Sequence, residues 1–554
     1  MDLHLRIKSR ILLLSLIILL SFITVALKTT LIASKQVNQL VTNSHNYKKT
    51  KRLDITDRNG TILATSLSSS SAYVHPKEVD DKLLFVKRLA EIFPDLDKEE
   101  LIGKLTSGKK FVWIKKLISP ETERKLFNLG QPGLYFGERV YRFYPKENLA
   151  SHLLGYTKVK TEGVNFSHLS GISGVESAFD EILTVSKNSD KEDSVSLSID
   201  LSVQSHVETV LSEWGKRMNA KAGSVIIMDI RSGEIIALAS SPDYNPNKKR
   251  TVSFDKDEPG VYFNRAIQGV YEMGSTFKIF SVAQGLEENL FDLDTSFSTQ
   301  PFLVGKKKFK DKFKFDREVT VREIIVRSSN VGSARIALKL GKENQKKILK
   351  KLGLLDPVPF ELKEAKMTTP LNPPDWKPLT LATVSFGHSI SVSLLHLARA
   401  YSILTNGGFD VEPTIVRKNE DQDIRKRIFK RETSQKILEL LEAVVRDERG
   451  TGRSANSAYY GIGGKTGTAD KPSKKNKGYL EERVISNFAG VFPIKEPRYV
   501  IAALLDEPEN RFKEKTCRFS GCTVAPMVKQ IIERVGPLLG VIPFNNHEEN
   551  NSDS

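Results

Sequence analysis

Apolar residues fill positions 11–27 with no charge between Arg10 and Lys28, and Arg6, Lys8 and Arg10 precede the run. That length is the short end of a membrane span, and residues 31–33 lengthen it if Lys28 reaches back to the interface. The spacing predicts a retained anchor over 11–33. A cleaved signal peptide would need a small-x-small site, and none stands out. Positive charge before the span keeps 1–10 cytoplasmic and exports the rest. A polar linker follows over 34–50. Residues 54–64 then read as two short strands across Asn59-Gly60. Leu197 and Ile199 alternate, whereas Val203, Val207, Val210 and Leu211 take helical spacing, so a strand passes into a helix. Two continuous apolar runs, 224–230 and 234–239, flank Arg231-Ser232-Gly233 and predict a hairpin in a sheet covered on both faces. Residues 487–492 and 499–505 read as further buried strands, and 524–539 as a closing helix. Strands from both ends of this region bracket helices, which makes an α+β layered domain. Residues 546–554 are a polar tail of disordered composition.

At 554 residues the chain exceeds one ordinary core, so two or more domains are expected. Its 84 Lys and Arg against 67 Asp and Glu give a net charge of +17. Lysines cluster at 306–308, 346–351 and 474–475 without the reader motif and interleaved aromatics that nucleic acid requires. An anionic membrane surface or an acidic wall polymer suits that charge better. Cys517 and Cys522 are the only cysteines, too few for a zinc site. A short disulfide loop and two free thiols both remain open.

Candidate chemistry enters at Ser275 and Lys278. Three residues apart, they share a helical face, and Ile279, Phe280, Val282, Ala283 and Leu286 continue the helical period. A serine hydroxyl becomes a nucleophile when a base takes its proton, and an amine one turn away serves if it is kept neutral. The same spacing occurs at Ser107/Lys110 and Ser253/Lys256 with nothing to suggest chemistry, so only further motifs can promote Ser275. Two follow in order: Ser328-Ser329-Asn330 and Lys465-Thr466-Gly467-Thr468. The latter resembles the end of a phosphate loop, but that motif needs glycine at 459, where Tyr459 stands.

With its flanks, Asn264-Arg265-Ala266 and Tyr271-Glu272-Met273-Gly274 before Ser275 and Gly463-Gly464 before Lys465, the set resembles that of class B penicillin-binding proteins of the division type. Residues 139–145, 153–156 and 171–180 resemble motifs of the same family's non-catalytic pedestal, and read on their own as glycine turns and buried aromatics. Two positions depart from the family pattern. Leu53 follows Arg52 in place of glycine, and Met273 stands where proline is common.

The resemblance implies a pedestal over 51–195 and a transpeptidase domain over 196–545. It implies that Ser275 is acylated, Lys278 is the base and Ser328 relays a proton. Asn330 would bind Lys278 or a substrate amide, and Lys465 with Thr466, Gly467 and Thr468 would receive a terminal carboxylate. It implies no cofactor and no metal. The implied partners are peptidoglycan stem peptides ending in D-Ala-D-Ala, β-lactams, the membrane, a glycan-polymerising protein and other divisome proteins, with the bulk of the chain in the periplasm. Rival readings are an elongation-type sister, a serine β-lactamase and a non-enzymatic β-lactam sensor. A β-lactamase would place a deacylating glutamate. Glu343, Glu361 and Glu364 read instead as solvated surface.

Overall fold

The computed structural model of the protein describes residues 13–30, 51–162, 167–185, 194–248, 260–418, 426–473, 478–512 and 515–544. The expected cytoplasmic tail, linker and C-terminal tail lie outside the described residues. Helix α1, Leu13–Thr30, is long and apolar enough to cross a membrane. Within it the hydroxyls of Thr24 and Thr30 donate to carbonyls four residues back, each at 2.7 Å. Such bonds leave no polar group unsatisfied along an apolar surface.

The pedestal begins with strands β1, Asp54–Thr56, and β2, Ile62–Val74. Asp57 builds the turn between them, its Oδ1 accepting from the N–H of Asn59 at 2.9 Å and of Thr61 at 2.8 Å. The second strand is long where a short one was expected. Along one edge it pairs with β1 and then β3, Val112–Ile118, and along the other with β4, Leu134–Phe143. Helices Lys82–Ile92, Lys98–Thr106 and Pro120–Phe127 cover its far end, each started by a side-chain cap from Asp81, Asp97 or Ser119. Phe85, Val86, Leu89, Leu101 and Leu105 pack there with Ala72 and Val74. At the near end Lys51–Arg52 pairs with Thr184–Val185, and β5, Ser194–Ser196, runs parallel to β1. The chain thus enters and leaves the pedestal side by side.

The larger domain is organised by a five-stranded antiparallel sheet. Helix α2, Leu201–Arg217, capped by the Asp200 carboxylate, leads into β6, Ala222–Asp229, and β7, Ile235–Ser241. The intervening helices are α3, Lys278–Glu287; α4, Val321–Val326; α5, Asn330–Lys351; α6, Leu394–Thr405; and α7, Arg431–Arg446. A small hairpin, β8 (Phe302–Val304) and β9 (Lys307–Phe309), lies between α3 and α4. Strands β10 (Gly463–Pro472), β11 (Tyr479–Phe492) and β12 (Tyr499–Asp506) complete the sheet in the order β7-β6-β12-β11-β10. Every residue of β6 is buried. Its side chains divide by the two-residue period of a strand. Val225 and Ile227 join α2 and the closing helix α8, Val524–Val535. Ile226 and Met228 join α3 and α6. Helices on both faces explain the unbroken apolar strands. Helix α8 stops at Val535, short of the expected 539, because Gly536-Pro537 follows. Between sheet and α8 a short hairpin, β13 (Asn510–Phe512) and β14 (Lys515–Cys517), ends in a disulfide joining Cys517 to Cys522, with Cα atoms 6.4 Å apart.

Candidate active site

Ser275 stands in a turn of 3-10 helix, Gly274–Phe277, that feeds directly into α3. Two glycines let this turn touch the edge strand β10. Gly274 has φ +60°, and a Cβ there would lie 2.5 Å from the Thr468 carbonyl oxygen. A Cβ on Gly467 would collide with the Met273 carbonyl and the Asn487 amide. The Met273 carbonyl accepts from Asn487 Nδ2 at 2.9 Å and from Thr276 Oγ1 at 3.0 Å. Those two bonds tie the turn at the position where the family commonly has proline. The backbones of Ser275 and Thr468 are neighbours as a result. Ser275 is half-buried, and its hydroxyl makes no hydrogen bond among the described residues.

The middle motif lies between α4 and α5. Ser328 adopts φ +65°, a left-handed conformation unfavourable for serine, which turns its hydroxyl and its carbonyl toward α3. Lys278 Nζ donates to the Ser328 carbonyl at 2.6 Å and to its Oγ at 3.0 Å. Lys465 Nζ, arriving from β10, donates to the same Oγ at 3.1 Å, to the Thr466 carbonyl at 3.1 Å and to Thr451 Oγ1 at 3.3 Å. One hydroxyl therefore receives two lysine amines. Ser329 is a helix cap, its Oγ accepting from the Gly332 N–H at 2.9 Å. Asn330 occupies the first turn of α5, with its N–H donating to Asp311 Oδ1 at 2.6 Å. Among the described contacts Lys278 reaches Ser328 and not Asn330, which leaves for Asn330 the other role the resemblance offers, a substrate amide.

Both lysines are fully enclosed, and neither forms an ion pair with a carboxylate among the described residues. Burial holds the Lys278 amine well below the ordinary lysine range, and the Lys465 charge beside it depresses it further. Asp311 opposes this weakly, its oxygens already taken by Ser329 Oγ and the N–H groups of Asn330 and Val331. Burial brings Lys465 down to about 7. A neutral amine at 278 has a lone pair for a proton, and an amine at 465 that is charged near neutrality can attract an anion.

On β10 the Thr466 hydroxyl donates to Thr451 Oγ1 at 2.9 Å, inside the protein. Half-buried Thr468 accepts from the Ser520 N–H at 3.1 Å, which leaves its own O–H hydrogen for a ligand. Sequence reading missed Asp311, Thr451 and Asn487, which carry no motif and join the site only through the fold. It also misjudged two glutamates. Glu364 accepts from the Gly174 N–H at 2.8 Å, and Glu361 accepts from the Thr414 hydroxyl and, at 3.1 Å, from the Ile415 N–H. Both are structural ties rather than solvated surface, while Glu343 is exposed.

Comparison with known proteins gives one answer. Residues 223–533 match the family model described as penicillin binding protein transpeptidase domain, and 47–198 match the penicillin-binding protein dimerisation domain. The chain is 33% identical over 498 residues to the probable peptidoglycan D,D-transpeptidase FtsI of Caulobacter vibrioides, covering 88% of this chain and 82% of that one. It is 30% identical over 540 residues to the stage V sporulation protein D of Bacillus subtilis, covering 90% and 80%. Penicillin binding protein 3 of Mycobacterium tuberculosis, solved with aztreonam, shares the fold at a TM-score of 0.67 and 21% identity, with 90% of this chain and 98% of that one covered. With its pedestal and its transpeptidase domain both matched, the chain belongs to the class B penicillin-binding proteins, serine acyl-transfer enzymes of peptidoglycan.

Proposed function

We propose that the protein is a membrane-anchored peptidoglycan D,D-transpeptidase of the septum, with its catalytic domain on the periplasmic side. The observation that carries this reading is the meeting of the Lys278 and Lys465 amines on the Ser328 hydroxyl, one turn from Ser275. Lys278, kept neutral, takes the Ser275 proton as Oγ bonds to the carbonyl carbon of the penultimate D-alanine. The N–H groups of Ser275 and Thr468 face the oxyanion. The carbon–nitrogen bond then breaks, and the proton returns through Ser328 to the departing D-alanine amine. Lys465 and the Thr468 hydroxyl hold the terminal carboxylate, the Thr466 hydroxyl being engaged with Thr451, and Asn330 meets a substrate amide. The amine of a second stem peptide attacks the acyl-serine, loses a proton to Lys278 and frees Ser275.

Acylation of the full chain by penicillin, followed by intact mass over hours, tests the chemistry. A persistent adduct on Ser275 is expected, since Glu361 and Glu364, two of the glutamates that could have served as a deacylating base, are engaged elsewhere. Rapid return of the unmodified mass with hydrolysed drug would assign the protein to the β-lactamases. The septal role rests on likeness to relatives named FtsI, and the divisome partners, a glycan polymerase among them, on the family resemblance alone. A fluorescent fusion spread along the side wall would favour the elongation-type sister.

A further inference from the structure

Residues 306–315 read Lys-Lys-Lys-Phe-Lys-Asp-Lys-Phe-Lys-Phe. Strand pairing ends at Phe309; beyond it Asp311 and Phe315 are half-buried, while Phe313 is exposed like the lysines around it. Phe309 is buried against Val304, Val331, Ala334 and Ala382. Asp311 holds the Ser329 hydroxyl at 2.6 Å and the first N–H groups of α5. Phe315 packs on the main core, with the Arg327 guanidinium 4.2 Å from its ring centroid. The intervening Lys308, Lys310, Lys312 and Lys314 are exposed, as are Lys306 and Lys307 at the hairpin turn. None of the six has an ion-pair partner among the described residues.

Two contacts register this row on the cleft. Asp311 ties it to the helix that begins at the Ser328-Ser329-Asn330 motif. The Lys312 ammonium sits 3.7 Å from the Phe519 ring centroid, next to Ser520, whose N–H donates to Thr468 Oγ1. The row therefore borders the cleft that ends at Ser275. Past the strand Lys307–Phe309 the row continues irregularly, with a bend at Lys312–Phe313. Six exposed ammonium groups within nine residues, none of them ion-paired among the described residues, fit a flexible polyanion that presents separate carboxylates.

We propose that this row is a docking strip for a peptidoglycan strand, holding free stem-peptide carboxylates outside the cleft while one peptide end reacts at Ser275. It rests on the transpeptidase reading and adds a second point of substrate recognition. A β-lactam is too small to span cleft and strip, so its acylation rate should not depend on the lysines.

The test uses the full chain in a neutral detergent, sedimented with purified peptidoglycan sacculi. Changing Lys306, Lys307, Lys308, Lys310, Lys312 and Lys314 to Gln should weaken sacculus binding by about tenfold or more, with penicillin acylation unchanged. Changing the same six to Arg should keep it. A second arm leaves the protein untouched. Sacculi whose carboxylates have been amidated should bind the wild-type chain as weakly as native sacculi bind the glutamine variant, and that arm stands even if the variant fails to fold. Unchanged binding in the glutamine variant, or equal binding of the wild type to native and amidated sacculi, overturns the proposal. So does a glutamine variant that loses affinity only for phosphatidylglycerol vesicles, which would assign the strip to the membrane. Failure of the wild type to acylate would strike the reading of Ser275 instead.

Discussion

Two clusters of buried charge in this molecule follow opposite rules. At the base of the pedestal, Arg52 Nε and Arg142 Nε each meet the Glu176 carboxylate at 2.6 Å, and Arg52 Nη1 meets Asp180 at 2.7 Å. Arg52 Nη2 and Arg142 Nη1 donate to the carbonyls of Glu176 and Leu53 at 2.6 and 2.8 Å. Two cations face two anions, so the charges are paired. In the catalytic cleft, two lysines as deeply buried face no carboxylate of their own, and one serine oxygen lies between them. That imbalance favours loss of a proton, which would leave an amine able to take one from a neighbour. Closed charge fixes a corner, whereas open charge makes an amine reactive.

The difference should appear most sharply at Lys278. Lys278→Ala or Ser275→Ala should lower penicillin acylation by on the order of 10³-fold or more, because the two act as a unit. The thermal midpoint of either variant should stay at or above that of the wild type. Normal labelling of either would end the distinction between the clusters. Glu176→Gln is the converse experiment. It strands two guanidiniums and should cost about 3–5 kcal/mol in chemical denaturation, with the folded fraction acylating at the normal rate. A fall in acylation without loss of stability would mean that the pedestal corner reports to the cleft.

Lys465→Met tests both rules at once. Acylation should fall by about 10²-fold as the electrostatic attraction for the carboxylate is lost. Stability should move the other way, with a definite pH dependence. The unfolded amine titrates near its ordinary 10.5 and the folded one near 7. Between those values the unfolded chain holds a proton that the folded chain lacks, so wild-type stability rises with pH from 7 to 10.5. The variant's advantage should therefore be full below pH 7 and fade toward 10.5, as urea titrations across that range would reveal. The smallest effect belongs to a region with no buried charge. Replacing Cys517 and Cys522 with Ser should cost about 2 kcal/mol, the loop being short, and change acylation little. A large loss of acylation would mean that the hairpin positions Thr468 through Ser520.

The three motifs that meet in the cleft were legible because they lie in residue identity and order. The sheet was legible because strands covered on both faces must be continuously apolar. The alternation of Val225 and Ile226 between two cores was hidden by that same continuity. Asp311 and Thr451 were illegible for a different reason. Each contributes one carboxylate or hydroxyl, placed by backbone far from it in sequence, and an isolated residue of that kind looks like any surface residue. The left-handed turn at Ser328 left no trace, since glycine would have announced it and serine does not. In the pedestal, Arg52, Arg142, Glu176 and Asp180 each stood inside a motif already noticed, but were taken with the glycine turns. Their opposite charges were the available signal. The question of the cysteines, open from spacing alone, is closed by the fold, which brings Cys522 back beneath the end of β14.

The side-by-side entry and exit of the pedestal has a mechanical consequence. Tension along the chain before Lys51 passes at once, as shear, through the backbone ladders Lys51–Arg52 with Thr184–Val185 and β1 with β5. From β5 it continues straight into α2 and the catalytic sheet. The long β2 and the helices at its far end lie off this load path, a lever arm fixed at one corner. A pull on the anchor is therefore felt by the enzyme, whereas a push on the distal lobe becomes a torque on the corner braced by Arg52, Arg142 and Glu176.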